Sequence, residues 1–153
     1  MKIGLVGNKL LIDQPAGVEK YIYQIFNALA KTDKENSYTI YLQNEPKKEL
    51  WEKLIDNNKN FKYKVLKQNG GIFSSWVQLS LARELYNNPQ DVVYYPLDTI
   101  SGLLNIFKSK QFNAVCMIHD LGYKNINEYK NPITRFIHHN TIEFVVKNAK
   151  KII

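Results

Sequence analysis

The chain is predicted to be an α/β domain, a doubly wound, mostly parallel sheet with helices on both faces. Three observations predict it. Short apolar runs rich in β-formers alternate with helix-period segments from start to finish. Gly, Asn and Pro fall at the junctions between them. The 153 residues suffice for one domain and are too few for two ordinary ones, and no repeat or linker-like tract interrupts them.

The elements follow in order. KIGLVG, residues 2–7, is apolar, closed by glycine, and reads as a buried first strand. Residues 8–17 form a loop. A helix begins near Gly17, with Val18, Ile22, Ile25 and Leu29 at helical spacing and Tyr21 and Phe26 widening the apolar face. After a polar break from Asp33 to Ser37, SYTIYL (37–42) is a strand. Pro46 opens a helix through Asp56. FKYKVL (61–66) alternates apolar residues with lysine, the pattern of a strand near a sheet edge.

Asn69, Gly70 and Gly71 make a further break, and Ser74 or Ser75 caps a helix running to Tyr86. DVVYYP (91–96) is a short buried strand stopped by proline, and a helical turn or two fits between Thr99 and Phe107. FNAVCMIHD (112–120) is the most apolar segment and reads as a central strand running into His119 and Asp120. Asn131 and Pro132 cap and open a helix that places Ile133, Phe136, Ile137, Thr141, Phe144 and Val145 on one face. The closing KKII looks like the opening of another strand, which predicts a fold or partner domain that continues.

Composition narrows the function classes. The residues are 44% hydrophobic and 23% charged, a globular mix. One cysteine, Cys116, excludes an internal disulfide framework and a cysteine-built zinc site. No apolar run approaches the roughly 18 residues of a membrane span, and Asn8, Lys9 and Asp13 interrupt any signal-like start, so a soluble, cytoplasmic protein is expected. The formal charge is +7, yet only Arg83 and Arg135 are arginines. Readers of specific nucleic-acid sequence lean on the arginine fork, so no nucleic-acid partner is expected. Lys59, Lys62, Lys64 and Lys67 form one acid-free cluster and Lys147, Lys150 and Lys151 another. These are either solvated faces or a docking surface for an anionic membrane or a phosphorylated ligand.

In an open parallel sheet ligands bind beyond the carboxyl ends of the strands. Three loops reach that edge. They bring Asn8, Lys9 and Gly17; then Asp98, Thr99 and Ser101; then His119 and Asp120. Gly17 stands at a helix N-terminus, where free N–H groups favour a phosphate and the missing Cβ allows close approach; the alternative is an ordinary helix-starting glycine. His119 can bond or deprotonate a hydroxyl, or serve as a structural peg on nearby backbone. His138 and His139 point about 100° apart on a helix and cannot both bind one metal in the i, i+4 manner; no metal site or cofactor is expected. No G-x-G-x-x-G or Walker motif is present. Cys116 reads as inert packing, and Trp76, Tyr86, Tyr94 and Tyr95 as core, with one Tyr near Pro96 able to face the cleft.

MKIGLVG, PAGVEKYIYQIFNALAK and SYTIYL, followed by WVQLSLARELYNNPQDVVYYP, VCMIHDLGY and NAKKII, resemble in order the N-terminal half of the retaining glycosyltransferases of family four. WVQLS resembles that family's W-x-Q-x-x-L-P helix, and VCMIHD its strand ending in His-Asp. The resemblance implies the Rossmann-like, acceptor-side domain of a GT-B enzyme. Such an enzyme transfers a sugar from a nucleotide-sugar donor to a glycan or lipid-linked acceptor with retention, peripherally at the inner membrane face in many cases. A C-terminal donor-binding domain, absent from this chain, would hold most of the donor. By position the resemblance makes His119 the catalytic residue contacting the transferred sugar and Gly17 the donor-phosphate glycine. Asn8, Lys9, Asp98, Thr99 and Asp120 would line the cleft. Departures are Gly7, Asn8 and Lys9 where relatives have Asp and Arg, and Lys20 where they often have Arg. The rivals are half of a sugar-nucleotide epimerase-like enzyme and a non-enzymatic module binding anionic membrane or glycan.

Overall fold

The computed structural model describes residues 1–10, 15–67, 76–102, 113–121 and 132–153, with backbone alone for 132–135 and 137. The expected break at Asn69, Gly70 and Gly71, the caps Ser74, Ser75 and Asn131, the side chains of Ile133 and Ile137, and any helical turn beyond Gly102 up to Phe107 lie outside the described residues.

β1 (Lys2–Val6) leads to α1 (Gly17–Thr32), β2 (Ser37–Leu42), α2 (Lys48–Ile55) and β3 (Phe61–Val65). A π-helical turn, Val77–Leu81, runs into α3 (Ala82–Asn87), then β4 (Val92–Tyr95), β5 (Asn113–Cys116), α4 (Pro132–Asn148) and β6 (Lys151–Ile152). Among the described residues the sheet has six strands in the order β3-β2-β1-β4-β5-β6, and every pairing is parallel. Register runs from Lys2↔Ser37 to Val6↔Tyr41 between β1 and β2, and from Ile3↔Val92 to Leu5↔Tyr94 between β1 and β4. This is an α/β fold with the Rossmann-like strand order.

The period of two along each strand divides the core between two faces. Leu5, Tyr38, Ile40, Leu42, Phe61 and Tyr94 pack with Ile22, Phe26 and Ala30 of α1 and Leu54 of α2. Val6, Tyr41, Val93, Tyr95, Ala114 and Cys116 pack with Trp76, Val77, Leu81, Leu85 and Val145 on the other side. The chain steps outward from β1 through β2 to β3, returns past β1 to β4, and steps outward the other way. Reversing direction with one crossover hand moves the later helices to the opposite face.

Two asparagines join α1 to α2. Buried Asn27 donates its Nδ2 to the Lys53 and Leu54 carbonyls at 3.1 and 2.8 Å. Asn58, just past α2, donates to the Ala30 and Asp33 carbonyls at 2.9 and 2.8 Å. Each thereby satisfies carbonyls that a helix end leaves without an internal partner. Tyr63 on the edge strand β3 sets its ring edgewise to Trp51 at 4.8 Å between centroids, while Lys62 and Lys64 are exposed. Lys64 Nζ donates to Glu84 Oε1 at 2.7 Å.

Four expectations are corrected. β5 is an interior strand, flanked by β4 and β6, but it ends at Cys116 rather than Asp120. Its partner β4 ends at the matching position, Tyr95, whose carbonyl accepts the Met117 N–H at 2.9 Å. α2 begins at Lys48, two residues after Pro46. The face expected of α4 holds at Val145, which is buried, and at Phe144, which packs against the core, but Phe136 is 70% exposed and Ile142, outside that face, is buried. Apolar residues occur all round this helix, so spacing alone does not choose among them. Tyr86 is 57% exposed instead of filling core, because α3 buries Leu81, Ala82 and Leu85 on its other side.

Candidate functional site

Parallel pairing brings the carboxyl ends of all the strands to one edge, and β1 and β4, neighbours in the sheet, mark the point where strand order reverses. At β1 the chain leaves through a tight turn. Gly7 N–H donates to the Tyr41 carbonyl at 2.8 Å, and Leu10 N–H to the Gly7 carbonyl at 3.0 Å. Asn8 and Lys9 form the corner. Gly7 has no room for a Cβ, which would meet Ile40 Cγ2 and Leu42 Cδ2 at 2.9 Å and the Tyr41 carbonyl oxygen at 3.1 Å. Lys9 is exposed. The Asn8 side-chain oxygen is buried without a hydrogen-bond partner, a placement that costs on the order of 1–3 kcal/mol.

α1 starts at the same edge. Its N-cap, Ala16, has no side-chain oxygen, and its own N–H donates to Glu19 Oε2 at 3.2 Å. The first helical bond runs from Lys20 N–H to the Ala16 carbonyl at 3.1 Å. The N–H groups ahead of it belong to the orphan set of a helix start, which carries about half a positive charge. Gly17 is exposed, and a Cβ built on it meets nothing within 4 Å. The Glu19 carboxylate sits in the same turn and opposes an incoming anion.

The loop after β4 is held by a device the sequence did not announce. Leu81 N–H donates to the Trp76 carbonyl at 2.9 Å, the i to i+5 bond of a π-turn, a form frequent at functional sites. From this turn Gln78 grips the loop with both ends of its amide. Nε2 donates to the Ile100 carbonyl and Oε1 accepts from Gly102 N–H, each at 2.7 Å. Ser101, fully buried, donates to the Val77 carbonyl at 2.9 Å and accepts from the Tyr95 hydroxyl at 3.1 Å. Trp76 Nε1 donates to the Leu66 carbonyl at 2.6 Å. The W-x-Q pattern in the sequence was the available signal. Here its two residues are tethers: Gln78 fixes the loop carrying Asp98 and Thr99, and Trp76 ties the π-turn to the segment after β3. Asp98 Oδ2 lies 3.8 Å from His138 Nδ1 on α4, and Thr99 N–H donates to the Leu97 carbonyl at 2.8 Å.

His119 stands at the same edge beyond β5, exposed like Asp120. Its Nε2 is 2.8 Å from the Pro96 carbonyl oxygen. A carbonyl can only accept, so Nε2 carries the proton, and in the neutral ring Nδ1 is the acceptor. The imidazole meets the Tyr21 ring edge to face, with centroids 5.2 Å apart. Tyr21 is four residues beyond Gly17, so both lie on one face of α1, about 6 Å apart along its axis. His119 is therefore both a peg on backbone and an exposed ring beside the opening turn of α1.

The predicted residues are thus only partly convergent. His119 meets Tyr21 of α1, one helical turn on from Gly17, while Asp98 is drawn towards His138 of α4. No hydrogen bond or ion pair among the described residues links Asn8 or Lys9 to His119. His138 faces Asp98, whereas His139 lies 3.6 Å from Glu143, the divergence that adjacent helix positions require.

Burial sets the chemistry of the groups beneath the edge. It holds the Tyr94 hydroxyl well above the ordinary phenol range, with the bond to Tyr21 adding to the effect. It also pushes the Cys116 thiol up to about 12, with the Asp98 charge second. Cys116 Sγ lies 3.0 Å from the Leu97 carbonyl oxygen. Both groups stay protonated at neutral pH, so Cys116 is packing rather than a nucleophile.

No group of three or more His, Cys, Asp or Glu side chains among the described residues could hold a metal ion, and no helix there is long and apolar enough to cross a membrane. No family model, curated protein or solved structure matches the chain.

Proposed function

We propose that the chain is the acceptor-side domain of a retaining glycosyltransferase of GT-B architecture, acting on a nucleotide-sugar donor and a glycan or lipid-linked acceptor. The observation that carries the reading is the placement of His119. Its exposed imidazole stands against Tyr21, one turn from Gly17, at the reversal edge of a parallel sheet. A donor diphosphate at the first turn of α1 would bring the attached sugar within reach of that ring.

Glycosyl transfer passes through an oxocarbenium-like state while the diphosphate gains negative charge. The N–H groups opening α1 stabilise that charge most as it develops. With Nε2–H committed to Pro96, neutral His119 offers Nδ1 to a sugar hydroxyl and orients the ring being transferred. A second domain holding the donor would close over this edge and exclude water, which would otherwise consume the donor.

The test is sugar transfer from a panel of nucleotide-sugars, by the chain alone and with a co-expressed donor-binding domain. The reading expects transfer only from the pair, with a loss of about a hundredfold or more on His119→Ala. Full turnover by the 153 residues alone, or an unaffected His119→Ala pair, would contradict it.

A further inference from the structure

The proposed function treats His119 as a ligand-facing group and leaves open what sets its ring. Two unrelated elements converge on it. The Pro96 carbonyl takes the Nε2 proton at 2.8 Å, and the Tyr21 ring lies perpendicular to the imidazole at 5.2 Å. Tyr21 is itself anchored, because its hydroxyl shares a 3.2 Å hydrogen bond with the hydroxyl of Tyr94. Tyr94 sits on β4, in register with Leu5 of β1 and Val115 of β5. A chain of contacts therefore runs from the middle of the sheet, through α1, to an imidazole on the surface.

We propose that Tyr21 is a positioning residue: its anchored ring and the Pro96 carbonyl together hold His119 in one rotamer and in the Nε2–H form, leaving Nδ1 as a hydrogen-bond acceptor for a ligand hydroxyl. The proposal rests on the functional reading of His119 and adds the chemistry of the group it meets. A neutral imidazole fixed this way selects a donor, such as the hydroxyl of a polyol, over another acceptor. An exposed histidine without the ring contact would turn about its side-chain bonds and lose this selection. The hydroxyl of Tyr21 anchors the ring and the ring contacts the imidazole, so Phe at this position keeps the contact but loosens it, and a non-aromatic residue loses it.

The test is nitrogen NMR of the imidazoles in the 153-residue chain at about pH 8, where histidine is neutral, with His119 assigned by His119→Ala. The unmodified chain should show one His119 species, with Nε2 protonated and Nδ1 bare. Tyr21→Phe should raise the minor population less than Tyr21→Leu does. Tyr21→Leu should raise the minor tautomer and rotamer population about fivefold, the scale of an ordinary aromatic contact. His119 signals in Tyr21→Leu identical to those of the unmodified chain would overturn the proposal. Should Tyr21→Leu fail to fold, through-space contacts between the two rings in the unmodified chain decide: their presence supports the positioning and their absence overturns it. A ring that obeys Tyr21 yet ignores every nucleotide-sugar and sugar acceptor supports the positioning while removing the functional reading. A ring that responds to sugar but is indifferent to Tyr21→Leu overturns the positioning alone.

Discussion

Replacing Gly17 by alanine separates two explanations of that glycine, because they predict opposite outcomes for stability and binding. The added Cβ meets nothing within 4 Å, so it brings no clash. Alanine has fewer unfolded conformations and the better helix propensity. Where the native backbone suits it, the exchange stabilises by about 0.4–1 kcal/mol, or about 1–4 °C in Tm for a chain of this size. Ligand binding should move the other way. A methyl group at the mouth of α1 pushes a phosphate beyond hydrogen-bonding range of the first-turn N–H groups. Losing one charge-assisted bond costs about 1.5–3 kcal/mol, which is about ten- to a hundredfold in Kd. The assay pairs thermal unfolding with titration of a nucleoside diphosphate sugar, followed by the amide signals of residues 17–19. A variant that is more stable and binds as tightly as the unmodified chain would refute the reasoning and make Gly17 an ordinary helix start.

Gly7→Ala should cost about 1–3 kcal/mol in urea unfolding, because its Cβ would press on the buried side chains of Ile40 and Leu42 and on a backbone oxygen; unchanged stability would show that the β1 turn has slack. Asn58→Ala should cost about 1–3 kcal/mol, since it strips the Asp33 carbonyl of its amide donor and leaves the Ala30 carbonyl with Lys34 Nζ, and a loss below about 0.5 kcal/mol would mean that water replaces the amide. The Asp33 carboxyl is held well below the usual carboxylate range by the Asn36 side chain first, then by the Tyr38 hydroxyl and the N–H groups of Asn36 and Glu35. Its folded pKa is depressed, so its contribution is fully present above the ordinary value of 3.8 and is lost as pH falls below it. The stability gap between the unmodified chain and Asp33→Asn should accordingly narrow between neutral pH and about pH 2.5; a constant gap would contradict the assignment.

Much of the architecture was legible because it is local. The Lys62 and Lys64 alternation announced an edge strand, and β3 is one. Ile22 and Phe26, at helical spacing, are the residues that α1 buries. What was not legible depends on distant partners. β5 ends opposite the last residue of its neighbour β4, Tyr95, and nothing within the apolar run from Phe112 onward reveals this. The buried face of α4 depends on what the sheet offers, since Phe136 and Ile142 are equally apolar and only one is covered. The site shows the same division. Residue types at strand ends pointed to His119 and Gly17, but Tyr21 read as core, and its ring against His119 is a pairing across 98 positions of chain. The Gln78 clamp likewise joins a helix to a loop 24 residues on, visible in sequence only as a familiar pattern without a role.

The most direct measurement is amide and imidazole shift mapping of the isolated chain with a nucleoside diphosphate sugar at millimolar concentration. The account predicts the largest changes at Gly17 to Glu19 and at His119, with Tyr21 following and the β3 lysines still. Largest changes along Lys62 and Lys64, or a silent His119 beside shifts elsewhere, would contradict a site at the meeting of α1 with the loop after β5.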